Sequence, residues 1–127
     1  MNENEIGTQV VDAAILVHRE LGPGLLEIVY EIVLQHELRQ RGLEVRRQVP
    51  VSIICRGHRF EEGFCADLIV EEKVIVELKS VENLNNAHKK KLLTYLKLAG
   101  MRLGFLLNFG EAMMKHGITR TVNGLPE

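Results

Sequence analysis

The chain has 127 residues, 46% of them hydrophobic, enough for one core and too few for two, so one domain over residues 1–127 is expected, without a linker. Its 16 basic and 17 acidic residues nearly cancel, which excludes a strong global field toward nucleic acid and leaves any such attraction to local patches. No apolar run approaches the roughly 18 residues that span a bilayer, and Met1-Asn2-Glu3-Asn4-Glu5 is acidic where a secretion leader is basic, so a cytoplasmic protein without a membrane partner is expected.

From Ile6 to Leu21 the apolar positions Ile6, Val10, Ala13, Ala14, Val17 and Leu21 recur every three or four residues, which predicts an amphipathic helix stopped by Gly22-Pro23-Gly24. A second helix is predicted over about Leu25 to Arg41, with Leu26, Val29, Val33, Leu34 and Leu38 as its apolar stripe and Gly42 as its stop. The middle third changes period. Val49, Val51 and Ile53 alternate with their neighbours, Arg56-Gly57-His58 reads as a turn, and a second extended run follows from Phe60 to Val70. Beyond the polar connection Glu71-Glu72-Lys73, the run Val74-Ile75-Val76-Glu77-Leu78-Lys79 is β-branched and apolar, as a buried strand is.

A polar loop with Asn83, Asn85 and Asn86 precedes a third helix over Ala87 to Ala99, which Gly100 closes. The strand Leu103 to Phe109 follows a helix, and a crossover of that kind places it parallel to a central strand. One more strand is possible near Ile118 to Val122. Cys55 and Cys65 have no companion at zinc-ligand spacing, so both are expected to be small core residues. The five histidines show no metal-binding spacing and are expected mostly at the surface or at caps.

Chemistry concentrates on two strands. Glu77 and Lys79 are two apart and share a face, and a three-residue connection at 71–73 puts Asp67 directly opposite Glu77 on that face. Two facing carboxylates repel and lose hydration, a cost of several kcal/mol at order of magnitude that a divalent cation removes. Hard oxygen donors from one or two carboxylates, with water and phosphate completing the shell, suit Mg²⁺. The competing reading of the same spacing is a polar sheet edge with a surface salt bridge worth about 0–1 kcal/mol.

Gly24-Leu25-Leu26-Glu27-Ile28-Val29-Tyr30 reproduces a G-x-x-E-x-x-Y signature. With Gln48-Val49-Pro50-Val51, Gly63-Phe64-Cys65-Ala66-Asp67-Leu68, Val76-Glu77-Leu78-Lys79, the Leu92 to Lys97 helix and Leu107-Asn108-Phe109-Gly110, the chain resembles the GxxExxY proteins, a branch of the PD-(D/E)XK nuclease-like superfamily. The resemblance covers about residues 6 to 110. It implies an α/β restriction-endonuclease-like core of helix, three strands, helix and strand, preceded here by an additional N-terminal helix. It implies Asp67, Glu77 and Glu27 as ligands of Mg²⁺ or Mn²⁺, Lys79 as the catalytic lysine, and metal-dependent hydrolysis of phosphodiester bonds in DNA or RNA.

For Tyr30 two readings stand: a substrate-contacting phenol beside Glu27, or a core aromatic with its hydroxyl at the rim. Relatives often carry a glutamine four residues before a tyrosine on the helix after the catalytic strand, where this chain has Lys91 and Tyr95, both expected to contact substrate. That exchange puts a second cation beside the metal site and bears on activity more than on fold. A non-cleaving nucleic-acid-binding or regulatory module is therefore the alternative, with Arg39, Arg41, Arg46, Arg47, Lys89, Lys90, Lys91 and Lys97 as phosphate contacts. A homodimer through an open sheet edge or exposed helix is a third possibility.

Overall fold

The chain enters its first helix through Asn2, whose Oδ1 accepts the Glu5 amide at 2.8 Å while Glu5 Oε1 accepts the Asn2 amide at 3.0 Å, the reciprocal pair that satisfies orphan donors at a helix start. The structure, a computed structural model, describes residues 1–126. Helix α1 spans Glu3–Leu21 and buries Ile6, Val10, Ala13, Ala14 and Val17 on the stripe expected of it. Gly22, at φ 75°, ends it, a conformation open to glycine at no steric cost.

Helix α2 spans Glu27–Gln40, and its buried stripe departs from the predicted one. Tyr30, Leu34 and Leu38 are buried with Glu31 beside them, whereas Leu26 is 75% exposed and Val29 also reaches solvent. Apolar residues lie on several sides of this helix, so spacing alone did not pick its inner face.

Five strands form one sheet in the order β1-β2-β3-β4-β5: β1 Val45–Cys55, β2 His58–Val70, β3 Val74–Lys79, β4 Leu103–Asn108 and β5 Ile118–Val122. Neighbours run antiparallel except β3 and β4, which are parallel and joined by α3, Asn86–Ala99, so the predicted crossover is present. A 3-10 turn at Met114–His116 leads into β5. Helices α1 and α2 cover one face of the sheet with Leu68, Val76, Leu78, Phe105 and Leu107, and α3 covers the other with Val49, Ala66, Ile69, Ile75, Leu92, Leu96 and Leu106. This mixed α/β architecture is the predicted core with β5 added. No helix among the described residues is long and apolar enough to cross a membrane.

The β1–β2 hairpin closes on Arg56 and Gly57, with φ 51° and 79°, a two-residue turn that lets His58 start β2 instead of ending the turn. Residues 54 to 62 are exposed along this arm. Both cysteines are exposed too, against the expectation of core positions. Cys55 sits at the hairpin end, and Cys65 lines an open cleft beside α3.

Candidate functional site

Pairing between β2 and β3 runs Val70 with Val74, Ile69 with Ile75 and Leu68 with Val76, the register the three-residue connection requires. The next rung would join Asp67 to Glu77, and there the side chains replace the backbone ladder. The Asp67 amide donates to Glu77 Oε2 at 3.0 Å, and the Leu78 amide donates to Asp67 Oδ2 at 2.9 Å. Each carboxylate is thereby aimed by a main-chain donor, and a carboxylate keeps further lone pairs after one such bond. The strands part where the acids sit.

Asp67, Glu77, Lys79, Lys91, Tyr95 and Glu27 line one cleft of about 110 Å³ between β3, α3 and the start of α2. Six of the seven predicted site residues therefore meet there. Tyr30 does not. It is fully buried, stacked on Phe109 with centroids 4.3 Å apart; its hydroxyl donates to the Gly22 carbonyl at 2.6 Å and accepts the Leu25 amide at 3.0 Å. A phenol with both capacities spent on the α1–α2 loop cannot reach a substrate, so Tyr30 is the core aromatic of the two readings.

Glu27 is the remaining carboxylate of the cleft lining. It lies exposed at the mouth as the first residue of α2, and among the described residues no three His, Cys, Asp or Glu side chains gather closely enough to hold a metal ion together. The helix carboxylate that turns inward is Glu31, one turn on. It is only 4% exposed and its Oε2 accepts Arg47 Nε and Nη2 at 3.0 and 2.8 Å. Its other oxygen accepts Gln48 Nε2 at 2.7 Å, and the same amide nitrogen lies 3.3 Å from Asp67 Oδ1.

Gln48 thus bridges the buried glutamate to the aspartate, from a backbone at φ 49°. That left-handed conformation costs a non-glycine residue about 1–2 kcal/mol, and it falls where the β1–β2 ladder skips the rung between Arg47–Leu68 and Val49–Ala66. Sequence reasoning listed Gln48 only as part of a motif and left Glu31 out. The available signal was a glutamate at i+4 from Glu27 among apolar neighbours, with a Gln and two Arg in the next strand to receive it.

The other three arginines proposed for phosphate are also engaged internally. Arg41 pairs with Glu37 and reaches Gln9, Arg46 pairs with Glu72 through two bonds, and Arg39 donates to the Val45 carbonyl. Of the basic groups considered, the exposed lysines of α3 remain.

Burial pushes the Glu77 carboxyl up to about 9, with the hydrogen bond and negative charge of Asp67 adding to the effect; the Asp67 amide and the Lys91 ammonium act in the opposite sense. At neutral pH the acid pair therefore holds a proton in the absence of a cation. On release of that proton the pair of hard oxygen donors fits a divalent ion of the Mg²⁺ or Mn²⁺ type, which accepts one or two protein carboxylates and keeps water on its other positions. Beside the pair, Lys79 is held at the end of β3. Its carbonyl accepts the Phe109 amide at 2.8 Å, and the buried Asn108 locks the following segment by accepting the Val81 amide at 3.0 Å and donating to the Val81 carbonyl at 2.9 Å.

The family model for the PD-(D/E)XK nuclease superfamily matches residues 4–121. Neither a curated protein nor a solved structure gives a match.

Proposed function

The chain belongs to the PD-(D/E)XK nuclease superfamily, and from that premise we propose that it is a metal-dependent nuclease hydrolysing phosphodiester bonds in DNA or RNA, of the GxxExxY branch. Nucleases of this superfamily generally use divalent metals. The observation that carries the reading is the opened rung, where the Asp67 amide donates to the Glu77 carboxylate, the Leu78 amide donates to the Asp67 carboxylate, and both acids line one cleft with Lys79.

On this reading Asp67 and Glu77 hold the ion, and Gln48 keeps Asp67 in position. A bound divalent cation supplies Lewis-acid polarisation of the phosphoryl oxygen and a more acidic water. Lys79 orients the attacking water and offsets charge developing on the phosphate. Lys91 contacts a phosphate oxygen at the other wall, and Glu27 stands at the mouth.

The position of Lys91 also favours a second reading. Its ammonium lines the cleft and favours the charged form of Glu77, a compensation that suits a module that binds nucleic acid and cleaves nothing. Incubating the purified protein with labelled single- and double-stranded DNA and RNA separates the two. Cleavage in Mg²⁺ or Mn²⁺ that stops in EDTA, and falls at least about 100-fold in Lys79→Ala, supports the enzyme. Equal cleavage by wild type and Lys79→Ala betrays a contaminant, and binding without cleavage supports the module.

A further inference from the structure

The β1–β2 arm carries an aromatic ledge that begins inside the cleft. Tyr95 of α3 lines the cleft and stacks on Phe64 of β2, with centroids 3.8 Å apart and planes inclined by 11°. Phe64 pairs with Val51 across the hairpin, and Phe60 pairs with Ile53. Phe60 precedes Phe64 on the same strand, beyond a break in register, and places a second phenylalanine toward the hairpin end of the arm. Two extra residues of β2 are accommodated between these rungs, where Gly63 packs so tightly that a Cβ would lie 2.5 Å from the Val51 carbonyl oxygen. Phe60 itself is 52% exposed.

Charge complements the ledge. Helix α3 carries Lys89, Lys90, Lys91 and Lys97 and no acidic residue, in a chain whose net charge is −1. All four lysines are exposed, and none takes part in the ion pairs found among the described residues. On the arm, Arg56 and Arg59 add positive charge, although Glu61 pairs with Arg59 at 2.9 Å and Glu62 adds another negative one.

We propose that α3 and the β1–β2 arm form a binding face for single-stranded nucleic acid, with an unpaired base stacking on the exposed ring of Phe60 and phosphates tracking the α3 lysines, while Tyr95, stacked on Phe64 with the Lys91 ammonium over its ring, forms the wall of the cleft. The proposal rests on the nuclease-like reading and names the form of substrate that the cleft takes. Base faces are open to aromatic side chains only in unpaired strands, whereas a duplex stacks them on one another.

Fluorescence anisotropy in EDTA, with labelled oligo-dT and oligo-U strands and a duplex of equal length, tests it without any need for cleavage. The expected result is single-strand binding at least roughly tenfold tighter than duplex binding, weakened roughly tenfold by Phe60→Ala and further by the double variant Lys89→Ala with Lys90→Ala, with a steep loss as salt rises. Both variants alter exposed positions, and thermal melting checks that they fold. Equal affinity for duplex, or an unchanged affinity in folded Phe60→Ala, overturns the proposal; so does a Phe60→Ala effect on oligomeric state by light scattering in place of binding. Single-strand binding without metal-dependent cleavage defeats the nuclease reading alone, while cleavage of both forms at equal rates by wild type and Phe60→Ala defeats this proposal alone.

Discussion

At the residue scale the site is an electrostatic conflict held in place by hydrogen bonds. Glu77 rises from 4.5 to about 9 because it is buried beside Asp67, so the folded metal-free protein favours the protonated acid more than the unfolded chain does. For a group raised in this way, the stabilisation is fully present below the unfolded value near 4.5 and is lost as pH climbs toward 9. The sign is testable through denaturant melts in EDTA. Glu77→Gln, which cannot ionise, should gain stability over wild type progressively from about pH 5 to 9, by an amount of order a few kcal/mol; a constant difference across that range would remove the burial argument. Gln48 gives a second test. Its amide touches both Glu31 and Asp67, so Gln48→Ala should lower Mn²⁺ affinity about 10–100-fold, the usual loss for a residue that orients a metal ligand, and should also lower the melting temperature, because a buried Glu31 oxygen loses its donor. Unchanged affinity would leave Gln48 as a strand residue only.

Part of this was legible in the residues. The alternation of β3 and the three-residue connection fix Asp67 opposite Glu77, and that needs only covalent geometry and strand period. Glu31 was hidden because a charge among apolar helix residues reads as surface until its partners on another strand are known. Tyr30 was ambiguous for the same reason: a tyrosine at the start of a helix gives no sign of which carbonyl its hydroxyl will reach.

At the scale of elements, the antiparallel pair β2–β3 presents the acids, and the end of the parallel pair β3–β4 is fixed by Asn108. That side chain is fully buried and bonds the Val81 amide and carbonyl and the Gly110 amide at 3.0, 2.9 and 3.0 Å. Asn108→Ala strands three main-chain groups and should cost about 2–4 kcal/mol, read as a fall of roughly 10 °C in melting temperature. A fall of only a degree or two would mean that water replaces the side chain. Gly110 packs against the same Val81 backbone so closely that a Cβ would overlap it, which explains why glycine follows Phe109. Element identities were readable along the whole chain, including the strand at Ile118–Val122. The inner face of α2 was not, because Leu26, Val29 and Ile32 match the helical period as well as Leu34 and Leu38 do. The exposed cysteines were misread because cysteine chemistry favours burial while the hairpin and the cleft leave both positions uncovered.

At the scale of the whole molecule, near neutrality conceals a division of labour among charges. The arginines of α2 and β1 are spent on Glu37, Glu31, Glu72 and main-chain carbonyls, which ties the helical layer to the sheet. The lysines of α3 stand on the other side of the sheet, clear of those pairs, and Lys91 among them lines the cleft. Composition could not separate the two sets, since both contribute equally to the net charge; only the topology, with α3 alone covering the second face, does so.

The account turns on whether Asp67 and Glu77 hold one divalent ion. Calorimetric titration of the purified protein with Mn²⁺ and Mg²⁺ at neutral pH tests this most directly, alongside Asp67→Asn with its melting temperature measured in EDTA. One ion should bind per chain of wild type, releasing a proton from the acid pair, and the heat should vanish in folded Asp67→Asn. Binding of equal strength in that variant, or no binding by wild type, would contradict the account.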